Sequence, residues 1–279
     1  MRNIKLVLQY VGSHYSGWQV QPNGPTIQAI LQEHLEKTLK EKIIVIAAGR
    51  TDAGVHALGQ VAHFKTSNEM DLDTLHRALN AQLPEDIAVL SLEEVGEAFH
   101  AQRSAVAKTY LYLILMSRQK NPFLKPYAWR LYGELDQGAM EECLKAIEGE
   151  IDFKAFCAAD SCAKTTVRRL FRSRLQVFPL SEMEHRLVDL VGLSDWKGPL
   201  EVFNHHHPDH VARLWAISFR GEGFLKHMVR NIIGTLVEVG QGKRSVAEFH
   251  QILASKDRRQ AGPTAPPQGL FLLNVEYSE

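Results

Sequence analysis

The nine residues GRTDAGVHA, positions 49–57, set a guanidinium (Arg50), a carboxylate (Asp52), an imidazole (His56) and two glycines between two apolar runs. Gly49 and Gly54 give the backbone conformations closed to other residues. From so tight a loop Arg50 and Asp52, two positions apart, can project toward one common point. An ionised carboxylate held there can add to an electrophilic carbon or balance positive charge developing on it. The same residue types also make ordinary turns, because Asp and Gly suit hairpin loops and an Arg nearby is often a surface ion pair. Spacing alone leaves both readings open.

The flanking runs say what must position this loop. IIVIAA (43–48) is short and β-branched, and residues 60–66 carry Val61, Ala62 and Phe64, so both read as strands and Asp52 falls in a hairpin loop. Before them come a strand over 3–10, a Gly/Ser/Asn/Pro-rich loop holding Tyr15 and Trp18, and a helix capped by Thr26 with Ile27, Ile30, Leu31, Leu35 and Leu39 inward. A helix from Leu72 ending before Pro84 and a strand over 87–92 follow. The remainder has the same beat: strand 105–116, a helix capped by Asp136, strands 165–177 and 214–219, a long apolar helix over 223–239, a shorter capped one over 245–253, and a last strand over 270–277. Two runs of β α β β α β, the second with one extra helix, predict an α+β fold of two ferredoxin-like halves, 1–104 and 105–279. Their antiparallel sheets would join into one platform with the helices on one face, and a groove between halves is where ligands preferentially sit.

The chain has 279 residues, 45% apolar and 23% charged, an ordinary balance for a folded globular protein. The N-terminus alternates polar and apolar residues and no unbroken apolar run approaches about eighteen residues, so neither a signal peptide nor a membrane span is expected and the cytoplasm is the default. Cys143, Cys157 and Cys162 lack CxxC spacing and read as reduced structural thiols. Lys plus Arg equals Asp plus Glu at 32 each, so no global basic footprint marks a nucleic-acid binder. The charges are nonetheless clustered. Residues 98–133 hold no acid but Arg103, Lys108, Arg118, Lys120, Lys125 and Arg130, and 164–174 hold Lys164, Arg168, Arg169, Arg172 and Arg174. The latter strand places its arginines largely on one side. Two such stripes can line a polyanion track, although clustered charge is commonly just a solvated face.

GRTDAGVHA resembles, residue for residue, the signature of the tRNA pseudouridine synthase A family, and the family's nucleophilic aspartate falls on Asp52. YVGSHYSGWQVQP (10–22) resembles the family's first-strand loop, AKTYLYLI (107–114) its strand with a functional tyrosine at Tyr110, FLKHMVRNIIG (224–234) its late helix with an arginine at Arg230, and TAPPQGLFL (264–272) its closing motif. The resemblance covers nearly the whole chain. It implies a homodimeric, cofactor-independent enzyme that isomerises uridine to pseudouridine on the 3′ side of the tRNA anticodon loop and the adjoining stem.

That reaction breaks the bond from N1 to the ribose, turns the base and rejoins it through C5. It therefore asks for a nucleophile or charge stabiliser, a base for the C5 proton and a closed pocket, with no metal or redox cofactor. Asp52 is the carboxylate of the signature. Arg230, set among Phe224, Leu225, Met228, Val229, Ile232 and Ile233, would want a partner if buried and could hold the Asp52 charge, unless it snorkels to the surface. Arg50 could fill the gap left by an extruded base. Tyr110 could stack on the uracil, or be a core aromatic at strand spacing. Lys108, Arg168 and Arg172 are the expected RNA contacts.

The run FNHHHPDH (203–210) invites a metal reading, but adjacent histidines point in different directions and no pair is spaced to close a loop. It lies in a polar stretch, 178–211, longer than the family's corresponding connection and read as a surface arm. Rival readings are a catalytically silent RNA-binding module, a synthase with another RNA target, and a metal-dependent hydrolase built on the histidines.

Overall fold

Strand pairing, more than helix packing, decides where the Asp52 loop lies. The computed structural model describes residues 1–161, 163–180 and 212–278. Along these run β1 (Arg2–Tyr10), α1 (Ile27–Leu39), β2 (Ile46–Ala47), β3 (His56–Thr66), α2 (Leu72–Gln82), β4 (Ile87–Val95), β5 (Ala105–Met116), β6 (Trp129–Leu131), α3 (Gln137–Ala146), β7 (Gly149–Asp152), β8 (Val167–Pro179), β9 (Arg213–Gly221), α4 (Met228–Gly240), α5 (Val246–Ser255) and β10 (Leu270–Tyr277). One mixed sheet takes the order β4-β1-β3-β10-β5-β9-β8-β7, with β2 on β3 and β6 on β5. Its neighbours along that order are antiparallel except β3 and β10, which run parallel through Phe271↔His56 and Leu272↔Ala57. The chain's last strand thus docks onto the residues that directly follow the Asp52 loop.

The helices begin where side chains can satisfy their orphan N–H groups. Thr26 accepts from the Ala29 amide, Asp71 from Thr74 and Asp136 from Ala139, while Ser245 and Glu248 form a capping box. Helix α4 differs: it starts at Met228, not at 223 as the apolar run suggests, because His227 takes a left-handed φ of 61° and offers no side-chain cap. Further along α4, Gly234 lets the closing segment lie against the helix. A Cβ there would sit 1.7 Å from the Pro263 carbonyl oxygen.

Apolar residues from alternate strand positions (Leu6, Leu8, Phe64, Tyr112, Ile217, Phe219) form one core with Leu31, Leu35, Leu79, Met140, Leu144, Ile232 and Phe249 of the helices. The opposite face is not the bare platform expected. Phe99, Ala101 and Tyr277 cover it around Val61, and Leu124, Ala128 and Leu180 cover it around Leu115 and Leu214. Those outward residues are apolar, and leaving them wet would forfeit their burial energy. Strands β6 and β7, three and four residues long, are absent from the sequence reading because so short a run shows no alternation.

The arginines of β8 do not share one side. Pairing with β9 slips from Leu170↔Gly221 to Arg172↔Arg220, so Phe171 is an extra residue that inverts the alternation. Arg168 keeps the phase of core-facing Leu170, whereas Arg172 and Arg174 lie on the other face with Arg220 and Ser218. Cys143 and Cys157 are buried free thiols, and burial pushes Cys143 up to about 12. Cys162, the histidine run and the polar stretch from 181 onward lie outside the described residues. No helix among the described residues is long and apolar enough to cross a membrane.

Candidate functional site

Asp52 sits between β2 and β3, which pair antiparallel at Ile46↔His63 and Ala47↔Ala62, so the hairpin reading holds with a longer loop. The loop is tied down from within. Val55 N–H donates to the Asp52 carbonyl at 3.1 Å, and Gly54 takes a φ of 77°, which an L side chain rarely adopts. It is also tied from outside. The Trp18 amide donates to the Thr51 carbonyl at 3.0 Å, the Thr51 hydroxyl meets the Tyr10 hydroxyl at 2.8 Å, and buried Gln60 donates to the Gly49 carbonyl at 2.9 Å. At the end of the loop His56 accepts from the Gly12 amide at 3.1 Å and lies 3.0 Å from the Pro126 carbonyl oxygen and 3.2 Å from that of Gln268. One imidazole thereby joins the first-strand loop, the 120s loop and the closing motif, and burial pushes it below the usual histidine range.

The guanidinium beside Asp52 comes from α4. Arg230 Nη1 donates to Asp52 Oδ2 at 3.2 Å, with the arginine side chain 12% and the aspartate 26% exposed. Its Nε donates to the Ala265 carbonyl at 2.7 Å and the Ala265 amide returns a bond to the Arg230 carbonyl at 3.0 Å, so the closing motif fixes the arginine's reach. The aspartate's second oxygen, Oδ1, makes no hydrogen bond with a described residue and is left for a ligand. His227 Nε2 lies 3.5 Å from Oδ2. Burial pushes this imidazole below its ordinary value while the Asp52 charge pulls it back, and Arg230 and His227 bracket one carboxylate oxygen.

Tyr110 is buried on β5, edge to face with Phe224 at 4.9 Å between centroids. Burial first, then Tyr10 and the Asp52 charge, raise its phenol far above the usual tyrosine range, so it stays protonated. Its hydroxyl bonds to no described residue. Lys108, two residues earlier on the same face, lies against Gly49, and burial followed by the charge of Arg168 pushes its ammonium below the usual lysine range.

Asp52, Tyr110, Arg230 and Lys108 are thus brought together, with Arg168 beside Lys108. Arg50 is not part of that cluster. It is exposed and makes no hydrogen bond or ion pair with a described residue. Arg172 is exposed on the far face of β8. The sequence reading passes over His227, Tyr10, Thr51, Gln60 and Ala265. Of these, Tyr10, Thr51, His227 and Ala265 stand inside motifs already singled out, and only Gln60 lies outside them.

A family model described as tRNA pseudouridine synthase matches residues 6–102 and 144–278. Among curated relatives named tRNA pseudouridine synthase A, that of Citrifermentans bemidjiense is 45% identical over 280 residues, covering 100% of this chain and 99% of that one. That of Geobacter sp. strain M21 is 45% identical with 100% of both chains covered, and that of Geobacillus kaustophilus 40% identical with 100% of this chain and 95% of its own covered.

Proposed function

The chain belongs to the tRNA pseudouridine synthase family, and from that premise we propose that Asp52 is its nucleophile and the tRNA anticodon stem-loop its target. It is an isomerase acting on tRNA. The observation that carries the assignment of Asp52 is the split environment of its carboxylate: Oδ2 is engaged by Arg230 while Oδ1 has no hydrogen-bond partner among the described residues.

The chemistry then divides among the residues as follows. Asp52 Oδ1 attacks the ribose C1′, or balances the charge left there, as the N1 bond breaks and N1 takes the electron pair; the base turns, C5 bonds to C1′ as any Oδ1–C1′ bond breaks and frees the carboxylate, the C5 proton leaves and N1 gains one. Arg230 holds Oδ2 and compensates its charge in a site from which the base excludes water. Tyr110, protonated, lies flat against the uracil with its hydroxyl free toward the ring. Exposed Arg50 is suited to fill the gap left by the extruded base. Lys108 and Arg168 meet the RNA backbone, and Arg172, on the opposite face of β8, stays outside this contact.

Each half of the chain supports the reading of two ferredoxin-like halves dividing near 104/105. The first pairs its strands as β4-β1-β3-β2 and the second as β10-β5-β9-β8, the same order of fourth, first, third and second. A twofold dimer would double the basic surface of a chain with net charge zero and span a substrate larger than one copy. RNA would then be read chiefly through backbone and 2′-hydroxyls, with the extruded uridine alone entering the Asp52 pocket.

Asp52→Asn tests the core of this reading. The amide keeps the shape but cannot attack or balance charge, so pseudouridine formation in an anticodon stem-loop should vanish while RNA affinity stays within a few-fold. Turnover at a tenth of the wild-type rate would sink the assignment. Assembly of Asp52, Tyr110 and Arg230 at one place disfavours the silent RNA-binding module.

A further inference from the structure

We propose that Lys108 and Arg168 form a phosphate site for the RNA backbone flanking the target uridine. The inference rests on the function proposed above and adds a ligand group to its site. Lys108 is half-buried, yet it forms no ion pair or hydrogen bond with a described residue, and the charge acting on it among those residues is another cation, Arg168. A desolvated ammonium next to a guanidinium is unfavourable on its own, and native structures retain such a group where an anion completes it.

Glycines border both cations. Lys108 pairs with Gly221 on β9, which in turn pairs with Leu170 on β8, so Lys108 and Arg168 belong to neighbouring stretches of one sheet face. Gly49 borders the ammonium, where an added Cβ would stand 3.7 Å from Nζ, and Gly223 borders Arg168, where one would stand 3.8 Å from Nε. Arg168 is held in place through Nη1, which donates to the Thr165 carbonyl at 2.9 Å and the Val167 carbonyl at 2.5 Å.

Position identifies the anion. Lys108 and Tyr110 are successive same-face residues of β5, about 6.7 Å apart along the strand, and Gly49 belongs to the loop that carries Asp52. An anion at Lys108 therefore lies one nucleotide's reach from a base held at Tyr110. Extruding a base swings its sugar out of the stack, and contacts to the flanking phosphates fix the register while carrying no sequence information. The slip at Phe171 is what places Arg168 here and removes Arg172.

The experiment crosses Lys108→Gln and Lys108→Arg with stem-loop RNAs bearing one methylphosphonate linkage 5′ or 3′ of the target uridine, or at a remote linkage. Single-turnover pseudouridine formation is measured against enzyme concentration. On unmodified RNA, Lys108→Gln should raise the half-saturating concentration about 10- to 100-fold, the range of one charge-assisted contact, and Lys108→Arg should restore most of it. For the wild type one flanking methylphosphonate should weaken binding by a similar factor, and Lys108→Gln should lose less than about 2-fold more on that RNA. A Lys108→Gln effect that multiplies in full with both flanking substitutions, or one confined to the remote linkage, overturns the proposal. Wild-type activity on unmodified RNA reads the proposed function separately: its absence would dismiss that reading and not this site alone.

Discussion

Replacing Arg230 tests whether the contact across the site does the physical work assigned to it. The guanidinium gives Asp52 one charge-assisted hydrogen bond at 3.2 Å between groups 12% and 26% exposed. Such a bond contributes about 1.5–3 kcal/mol when well buried, and a single, partly wet contact belongs near the lower end, about 1–2 kcal/mol. Arg230→Met also strips the Ala265 carbonyl of its 2.7 Å donor, another ~1 kcal/mol. The variant should therefore lose about 2–3 kcal/mol, which lowers the melting temperature by roughly 4–10 °C for a chain of this size. Urea unfolding of Arg230→Met, Asp52→Ala and the double variant separates the parts. The Ala265 loss appears in both backgrounds, whereas the ion-pair part disappears once Asp52 is gone, leaving a coupling of about 1–2 kcal/mol. Turnover should fall about 100- to 1000-fold, the usual result of removing a preorganised charge from a reacting centre. Arg230→Lys should fall between, since a point charge cannot serve both Asp52 and Ala265. Cycle additivity within about 0.5 kcal/mol, or turnover unchanged in Arg230→Met, would refute the reasoning.

Acid should destabilise the protein through its buried histidines: burial depresses His56, His63 and His227, so the stability they confer is full above about 6.5 and falls as pH drops from there through the lower folded values. Each can add a slope of at most about 1.4 kcal/mol per pH unit, and His56→Asn should flatten the urea-midpoint profile below pH 6.5; an unchanged profile would show that His56 is not proton-linked. Light scattering across dilution should give twice the chain mass down to the concentrations of the activity assay, and a fully active monomer would dismiss the dimer.

The chain's local signals carried a long way. The ends of β5 and β10 match the alternation expected of them, and Thr26, Asp136 and Ser245 cap helices as read, because a cap is a property of three or four neighbouring residues. The motif order led to the family, and the apolar setting of Arg230 led to its need for a partner. What the sequence could not resolve depends on contacts between distant segments. That Arg230 reaches Asp52, 178 positions away, is decided by where β10 docks on β3 and draws the closing motif against α4. The late start of α4 follows from the left-handed turn at His227, and the same turn sets His227 beside Asp52. The slip at Phe171 is invisible in an alternating string, because a bulge is created by the partner strand's register and inverts every side chain beyond it. Period and capping are local and so are written in the sequence, whereas register and convergence arise only when the sheet closes.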